Sequence, residues 1–224
     1  MSDPTVFIVD DDAPVRDSLS LLISLKGLRA AVFASADDFL TVYDSAWRGC
    51  LLTDLKMPGT GGLELQEILR NRQIGLPVVV LTAHADVVNT RRALKNGAVD
   101  FLEKPVDDDV LIDVLQNAIR IDAERHEAQA AKGDLTLKLG RLTPREREVL
   151  VLLAQGSQHR EIAERLSISP RTVEVYKARM MEKLNCRTLA DVVLFGASML
   201  ATPAAMGNDT LTTAPVNRAP LQRR

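Results

Sequence analysis

The sequence predicts a chain of two structural classes, an α/β module built on a parallel sheet followed by an all-α module, and three observations carry that reading. In the first half, short apolar runs alternate with segments whose apolar residues recur at helical spacing, the pattern of strands covered on both faces by crossover helices. Beyond residue 140 no such strand pattern recurs, and helix-start signatures replace it. The charge divides in the same place. Residues 1–125 hold 13 Lys and Arg against 20 Asp and Glu, which leaves −7, whereas residues 141–187 hold 10 against 6, which leaves +4. A basic second module is either an ordinary solvated surface or one with a polyanionic partner.

In the first module, Val6-Phe7-Ile8-Val9 reads as a strand running into Asp10-Asp11-Asp12. Val15, Leu19, Leu22 and Ile23 then set a helix over 13–26, stopped by Gly27. An apolar run over 28–33 and a helical stretch over 35–46 lead to the strand Leu51-Leu52-Thr53, which ends on Asp54. Residues 57–62, with Pro58 and three Gly, continue neither regular element and form a loop. A helix over 63–72, the strand Val78–Val79–Val80–Leu81 ending on Thr82, a helix over 87–96 and a strand over 98–102 follow. Lys104-Pro105 closes that last strand, and helix begins again at 107. Five alternating units of this kind are the order of a doubly wound, flavodoxin-like domain.

The segment 107–131 is continuous helical material whose apolar stripe fades beyond Ile121, so a helical linker is expected over 123–137, serving as a lever, a dimer stem or a plain spacer. In the second module Thr143-Pro144-Arg145-Glu146 is a capping box opening a helix that ends before Gly156. A second helix spans 158–166. Ser169-Pro170 caps a third over 171–184, and a fourth covers 188–200. Two short helices joined tightly, the second capped and basic, form a helix-turn-helix. On the third helix Val173, Tyr176, Met180 and Leu184 share the inward face, while Arg171, Val175, Ala178, Arg179 and Glu182 face outward. An outward Val beside a small Ala suits contact with a thymine methyl in the major groove. Glu174 can accept from cytosine, and Arg171, Lys177, Arg179 and Lys183 can reach phosphates. An exposed Val is by itself an ordinary surface residue.

The 46% hydrophobic content allows real cores. No apolar stretch approaches a membrane span and no signal peptide opens the chain, so a cytoplasmic protein is expected. Cys50 and Cys186 stand apart and read as spectator thiols; His84, His126 and His159 form no ligand spacing with them. Chemistry concentrates where the strands of the first module end. Carboxylates of Asp10, Asp11 and Asp54, the Thr82 hydroxyl and the Lys104 ammonium would converge on one crevice, a set that suits Mg²⁺ and phosphate. Taken alone, the acidic run is a turn or helix cap, and Phe101 is core.

With these residues in this order, the segment 3–122 resembles the receiver (CheY-like) domain of bacterial two-component response regulators. The resemblance implies that Asp54 is the phosphoacceptor, that Asp10, Asp11, Asp54 and the Lys56 backbone carbonyl hold Mg²⁺, and that Lys104 contacts the phosphoryl oxygens. It makes Thr82 and Phe101 the switch pair, places a cis peptide at Lys104-Pro105, and gives Lys56 and His84 the positions that tune phosphoryl lifetime. Gly59 departs from the acidic residue common there, and Gly61-Gly62 makes the loop permissive. The segment 138–202 is similar to the LuxR-type four-helix output domain, through Leu142-Thr143-Pro144-Arg145-Glu146-Arg147-Glu148-Val149-Leu150, Glu161-Ile162-Ala163 and Ser169-Pro170-Arg171-Thr172-Val173-Glu174-Val175. Its implied DNA-contacting set is Arg171, Thr172, Glu174, Val175, Lys177, Ala178, Arg179 and Lys183. Together the two resemble the NarL/FixJ family, with Tyr176 and Lys177 where the FixJ type commonly has His and Arg, so a different operator is expected. The implied function is a phosphorylation-activated transcriptional regulator in a phosphorelay. Its partners would be a sensor histidine kinase, promoter DNA, RNA polymerase and, on phosphorylation, a second copy. No enzymatic activity is implied beyond Mg²⁺-dependent self-phosphorylation and slow self-dephosphorylation. The rivals are a DNA-binding module indifferent to Asp54 and a phosphotransfer enzyme, for which the loops are too short. A disordered tail is expected over 203–224.

Overall fold

The computed structural model describes residues 3–83 and 87–200. Two compact units divide between Ala131 and Lys132, inside the segment read as a linker. Among the described residues no helix is long and apolar enough to cross a membrane.

The first unit is the doubly wound α/β domain that the sequence predicts. Its strands are β1 (Thr5–Val9), β2 (Arg29–Phe33), β3 (Gly49–Thr53), β4 (Val78–Thr82) and β5 (Asp100–Glu103), all parallel in the order β2-β1-β3-β4-β5. Its helices are α1 (Ala13–Leu25), α2 (Ala36–Val42), α3 (Gly62–Asn71), α4 (Val87–Lys95) and the part up to Ala131 of α5 (Asp108–Gly140). Alternation along the strands explains how one sheet serves two cores. Val6, Ile8, Leu52, Val79 and Leu81 face α1 and α5, while Phe7, Val9, Leu51, Val78 and Val80 face α2, α3 and α4. Leu111 and Leu115 of α5 are fully buried, worth about 1.5–3 kcal/mol each by removal from water. Chain order reverses between β1 and β3, so their carboxyl ends open the crevice where such sheets take ligands.

Two elements differ from the sequence reading. The helix expected over 35–46 stops at Val42, because Tyr43 leaves helical geometry and the chain turns to stack Trp47 on Phe7, with ring centroids 4.6 Å apart. Conversely α5 does not stop before Gly133 but runs to Gly140. One glycine in an exposed helix costs only about 1 kcal/mol. The flanking residues include strong helix formers and an Asp134–Lys138 ion pair one turn apart at 2.6 Å. Asp122, buried on α5, accepts from the Gly49 N–H at 3.0 Å and ties that helix to the start of β3.

The second unit packs α6 (Pro144–Ala154), α7 (His159–Leu166), α8 (Pro170–Leu184) and α9 (Leu189–Leu200) around Val149, Leu150, Ile162, Val173, Met180, Leu184 and Val192. The capping box on α6 is complete: Thr143 Oγ1 accepts from the Glu146 N–H at 3.3 Å, and Glu146 Oε2 accepts from the Thr143 N–H at 2.8 Å. The turn between α7 and α8 runs through Ser167 at φ 55°, a left-handed position taken here without glycine. The tail over 203–224 lies outside the described residues.

Candidate functional site

The acidic run divides its labour among three residues. Asp10 is buried, its Oδ1 accepting from the Asp12 N–H at 2.9 Å and its Oδ2 from Lys104 Nζ at 2.8 Å. Asp12 is the cap of α1, accepting from the Val15 N–H at 3.3 Å. Asp11 is exposed beside them. From β3, Asp54 reaches the same place: Lys104 Nζ stands 3.7 Å from its Oδ1, and its Oδ2 accepts from the Lys56 N–H at 3.1 Å. Thus β1, β3 and β5 bring Asp10, Asp54 and Lys104 together at the topological switch point. Lys104-Pro105 is cis.

Burial is the largest influence on Asp54 and pushes its carboxyl above the ordinary 3.8. The neighbouring Asp10 charge adds to the rise; the Lys104 ammonium and the N–H groups of Lys56 and Leu55 oppose it without cancelling it. Oδ1 of Asp54 is a buried acceptor with no hydrogen bond among the described residues. Buried acceptors are ordinarily satisfied, so this one is poised for a cation or a reacting group. Among the described residues no three His, Cys, Asp or Glu are gathered as a ready metal cluster. The donors nonetheless fit a hard divalent cation, which takes carboxylate and carbonyl oxygens and keeps several waters.

Thr82 is buried at the end of β4, and Phe101 on β5 packs half-buried against the core beneath α2, α3 and α4. Lys56 is exposed. His84 lies outside the described residues. Gly62 is not part of a permissive loop: it is the first residue of α3, and a Cβ there would stand 2.2 Å from the Asp54 carbonyl oxygen. Close approach of two backbones, rather than mobility, demands glycine at this position. Sequence reasoning also passed over Arg16, whose Nη1 donates to the Asp10 carbonyl at 2.6 Å. No periodicity or motif signals that contact, since side chain and acceptor lie six residues apart.

On α8 the inward face holds as read: Val173, Met180 and Leu184 are buried and Tyr176 packs against them. Outward lie Arg171, Glu174, Val175, Ala178 and Arg179, with Val175 42% exposed. Lys177 is half-buried, and Thr172 gives its N–H to the Ser169 cap at 3.0 Å while its hydroxyl meets the Ser169 hydroxyl at 2.8 Å. Lys183 departs from the reading. Its ammonium is bound to both oxygens of the buried Glu146 carboxylate, at 2.9 and 2.7 Å, so it anchors α8 to the start of α6 instead of facing outward. Burial alone would raise the Glu146 carboxyl, but Lys183 and the Thr143 groups outweigh it and hold it below the ordinary 4.5. A wheel of one helix cannot reveal a partner on another.

Comparison with known proteins agrees with this architecture. Residues 6–116 match the response regulator receiver domain, and residues 140–195 match the bacterial regulatory proteins of the luxR family. The transcriptional regulatory protein FixJ of Bradyrhizobium diazoefficiens is 38% identical over 204 residues, spanning 91% of this chain and 97% of that protein. The FixJ of Rhizobium meliloti is 39% identical over 197 residues, 86% of this chain and 95% of its own. Among solved structures, the response regulator StyR superposes with a TM-score of 0.82 at 39% identity, covering 88% of this chain and all of that one. Full-length FixJ from B. japonicum gives 0.56 at 35% identity over 90% of this chain and all of its own. The molecule is therefore a response regulator, a receiver domain coupled to a LuxR-type DNA-binding domain, and a transcriptional regulator rather than a catalytic enzyme. The chain belongs to the FixJ-like family of transcriptional regulatory proteins.

Proposed function

We propose that Asp54 is the phosphoacceptor, taking a phosphoryl group from the phosphohistidine of a sensor kinase. A carboxylate oxygen of Asp54 bonds to phosphorus as the bond from phosphorus to the imidazole nitrogen breaks, leaving an acyl phosphate on Asp54 and a free histidine on the kinase. Phosphoryl transfer asks for positioning and charge stabilisation more than for covalent help. Lys104, held by Asp10, stands beside Asp54 to meet the incoming oxygens. Receiver domains use Mg²⁺ in this step. Asp10, Asp11, Asp54 and the Lys56 carbonyl would hold it here, and when bound it supplies charge neutralisation at the transferring group. Slow loss of the group to water would reset the protein. Cytoplasmic action is part of this reading.

In the same reading the Thr82 hydroxyl turns toward the new phosphoryl oxygens and Phe101 follows, changing the surface of α4, β5 and α5. Val87 and Val88, 75% and 76% exposed on α4, and Val110 on α5 support pairing of two copies there. The paired protein binds promoter DNA through α8 and meets RNA polymerase. Arg171, Lys177 and Arg179 contact phosphates, Val175, Ala178 and Glu174 face base edges, and Thr172 shapes the helix start. The observation that carries the proposal is the convergence of Asp10, Asp54 and Lys104 at the switch point of the sheet. Selection of DNA sites with and without acetyl phosphate tests it: a selected sequence enriched only by the phosphorylated wild type is expected, and equal enrichment by Asp54→Asn would favour a constitutive module.

A further inference from the structure

Arg16 sits in the first turn of α1 with its guanidinium turned back onto the strand end that precedes it. Nη1 donates to the Asp10 carbonyl at 2.6 Å, and its backbone N–H donates to the Asp12 carbonyl at 3.0 Å. One residue therefore brackets the whole Asp10–Asp11–Asp12 turn. Hydrogen bonds from a charged donor at this length are roughly twice as strong as neutral ones. The Asp10 carbonyl belongs to the planar peptide that joins Asp10 to Asp11, so fixing its direction fixes how Asp11 leaves the backbone.

The neighbours of Asp11 have other restraints. Asp10 is held by Lys104 and the Asp12 N–H, and Asp12 by its cap on α1. The carboxylate of Asp11 is exposed and takes no hydrogen bond or ion pair among the described residues. Its placement is left to the backbone, and the backbone there is held by Arg16.

We propose that Arg16 is a positioning residue for cation binding, clamping the Asp10–Asp11 peptide so that the Asp11 carboxylate is presented beside Asp10 and Asp54. The inference rests on the reading above that these carboxylates hold Mg²⁺. Two effects of the guanidinium have opposite signs. Through its field alone it repels a divalent cation, so removing it would tighten binding. Through the clamp its removal frees the turn and weakens binding.

The test is a calorimetric Mg²⁺ titration of the full-length chain without phosphodonor, alongside the Mg²⁺ dependence of phosphorylation by acetyl phosphate. Arg16→Met is expected to weaken Mg²⁺ binding about tenfold, the loss typical of groups that orient a metal ligand. The phosphorylation rate at saturating Mg²⁺ should be retained. Arg16→Lys keeps the charge and one donor and should recover most of the affinity. Unchanged or tighter binding by Arg16→Met overturns the proposal, as does an Arg16→Lys no better than Arg16→Met. Should Arg16→Met fail to fold, Arg16→Gln, which loses the charge and shortens the reach, carries the test with the same signs. An Asp11→Asn variant that titrates like wild type would overturn the underlying metal reading itself.

Discussion

Asp54 carries its charge against the pull of burial, and the groups around it relieve that cost only in part. Replacing it with Asn keeps the shape and removes the oxygen proposed to take the phosphoryl group. Acid-labile phosphate from acetyl phosphate and Mg²⁺ should disappear in Asp54→Asn while circular dichroism stays that of the wild type. Two cations of α8 should part company in the same way. Arg179→Ala leaves thermal stability alone and flattens the salt dependence of DNA binding by about one unit of slope. Lys183→Met instead strands the buried Glu146 carboxylate, at a cost of about 1.5–3 kcal/mol, and leaves that slope unchanged. Thermal melts and binding isotherms at several salt concentrations read both. Val175→Ala should cost roughly 1–3 kcal/mol at particular base pairs and spare non-specific binding. At this scale the sequence exposed residues whose meaning lies in their order, Asp10, Asp54, Thr82 and Lys104 each closing a strand. It hid those whose meaning lies in a contact: Arg16 through a backbone carbonyl, and Lys183 through a carboxylate 37 positions away.

Helix starts, more than helix interiors, position both sites. The first turn of α3 rests on the backbone of Asp54, so Gly62→Ala forces a shift at the residue proposed to accept the phosphoryl group. A loss of about 1–3 kcal/mol is expected, the usual result of overpacking, together with slower phosphorylation by acetyl phosphate. The start of α6 offers a pH test. The folded carboxyl of Glu146 lies below its ordinary 4.5, so its stabilisation is complete above pH 4.5 and disappears as pH falls through the depressed folded value. Glu146→Gln should therefore melt below wild type at pH 7, with the gap closing in acid; a gap that stays constant with pH would contradict the linkage. Element starts were legible because Thr143-Pro144 and Ser169-Pro170 are local signals. Ends were less so. Trp47 draws the chain out of α2 for a tertiary contact, and nothing local at Gly133 is strong enough to stop α5.

For the molecule as a whole, phosphorylation should change how many copies travel together. Sedimentation velocity is expected to show a monomer that becomes a dimer with acetyl phosphate, and Val88→Glu should block the change while Asp54 is still phosphorylated. Identical profiles before and after phosphorylation would contradict pairing through α4, β5 and α5. The two-class architecture was readable from alternation, capping and charge because each is a repeated, local property. Which face of the sheet meets which helices was settled only by the sheet order.

The stacked Trp47–Phe7 pair also makes the protein its own optical probe. The chain has a single Trp, and its indole lies face to face with Phe7 inside the first unit. Its fluorescence therefore belongs to that unit alone, whereas the far-ultraviolet ellipticity sums the helices of both. Urea curves followed by emission and by ellipticity need not coincide, and any separation between them gives the unfolding of the DNA-binding unit without cutting the chain.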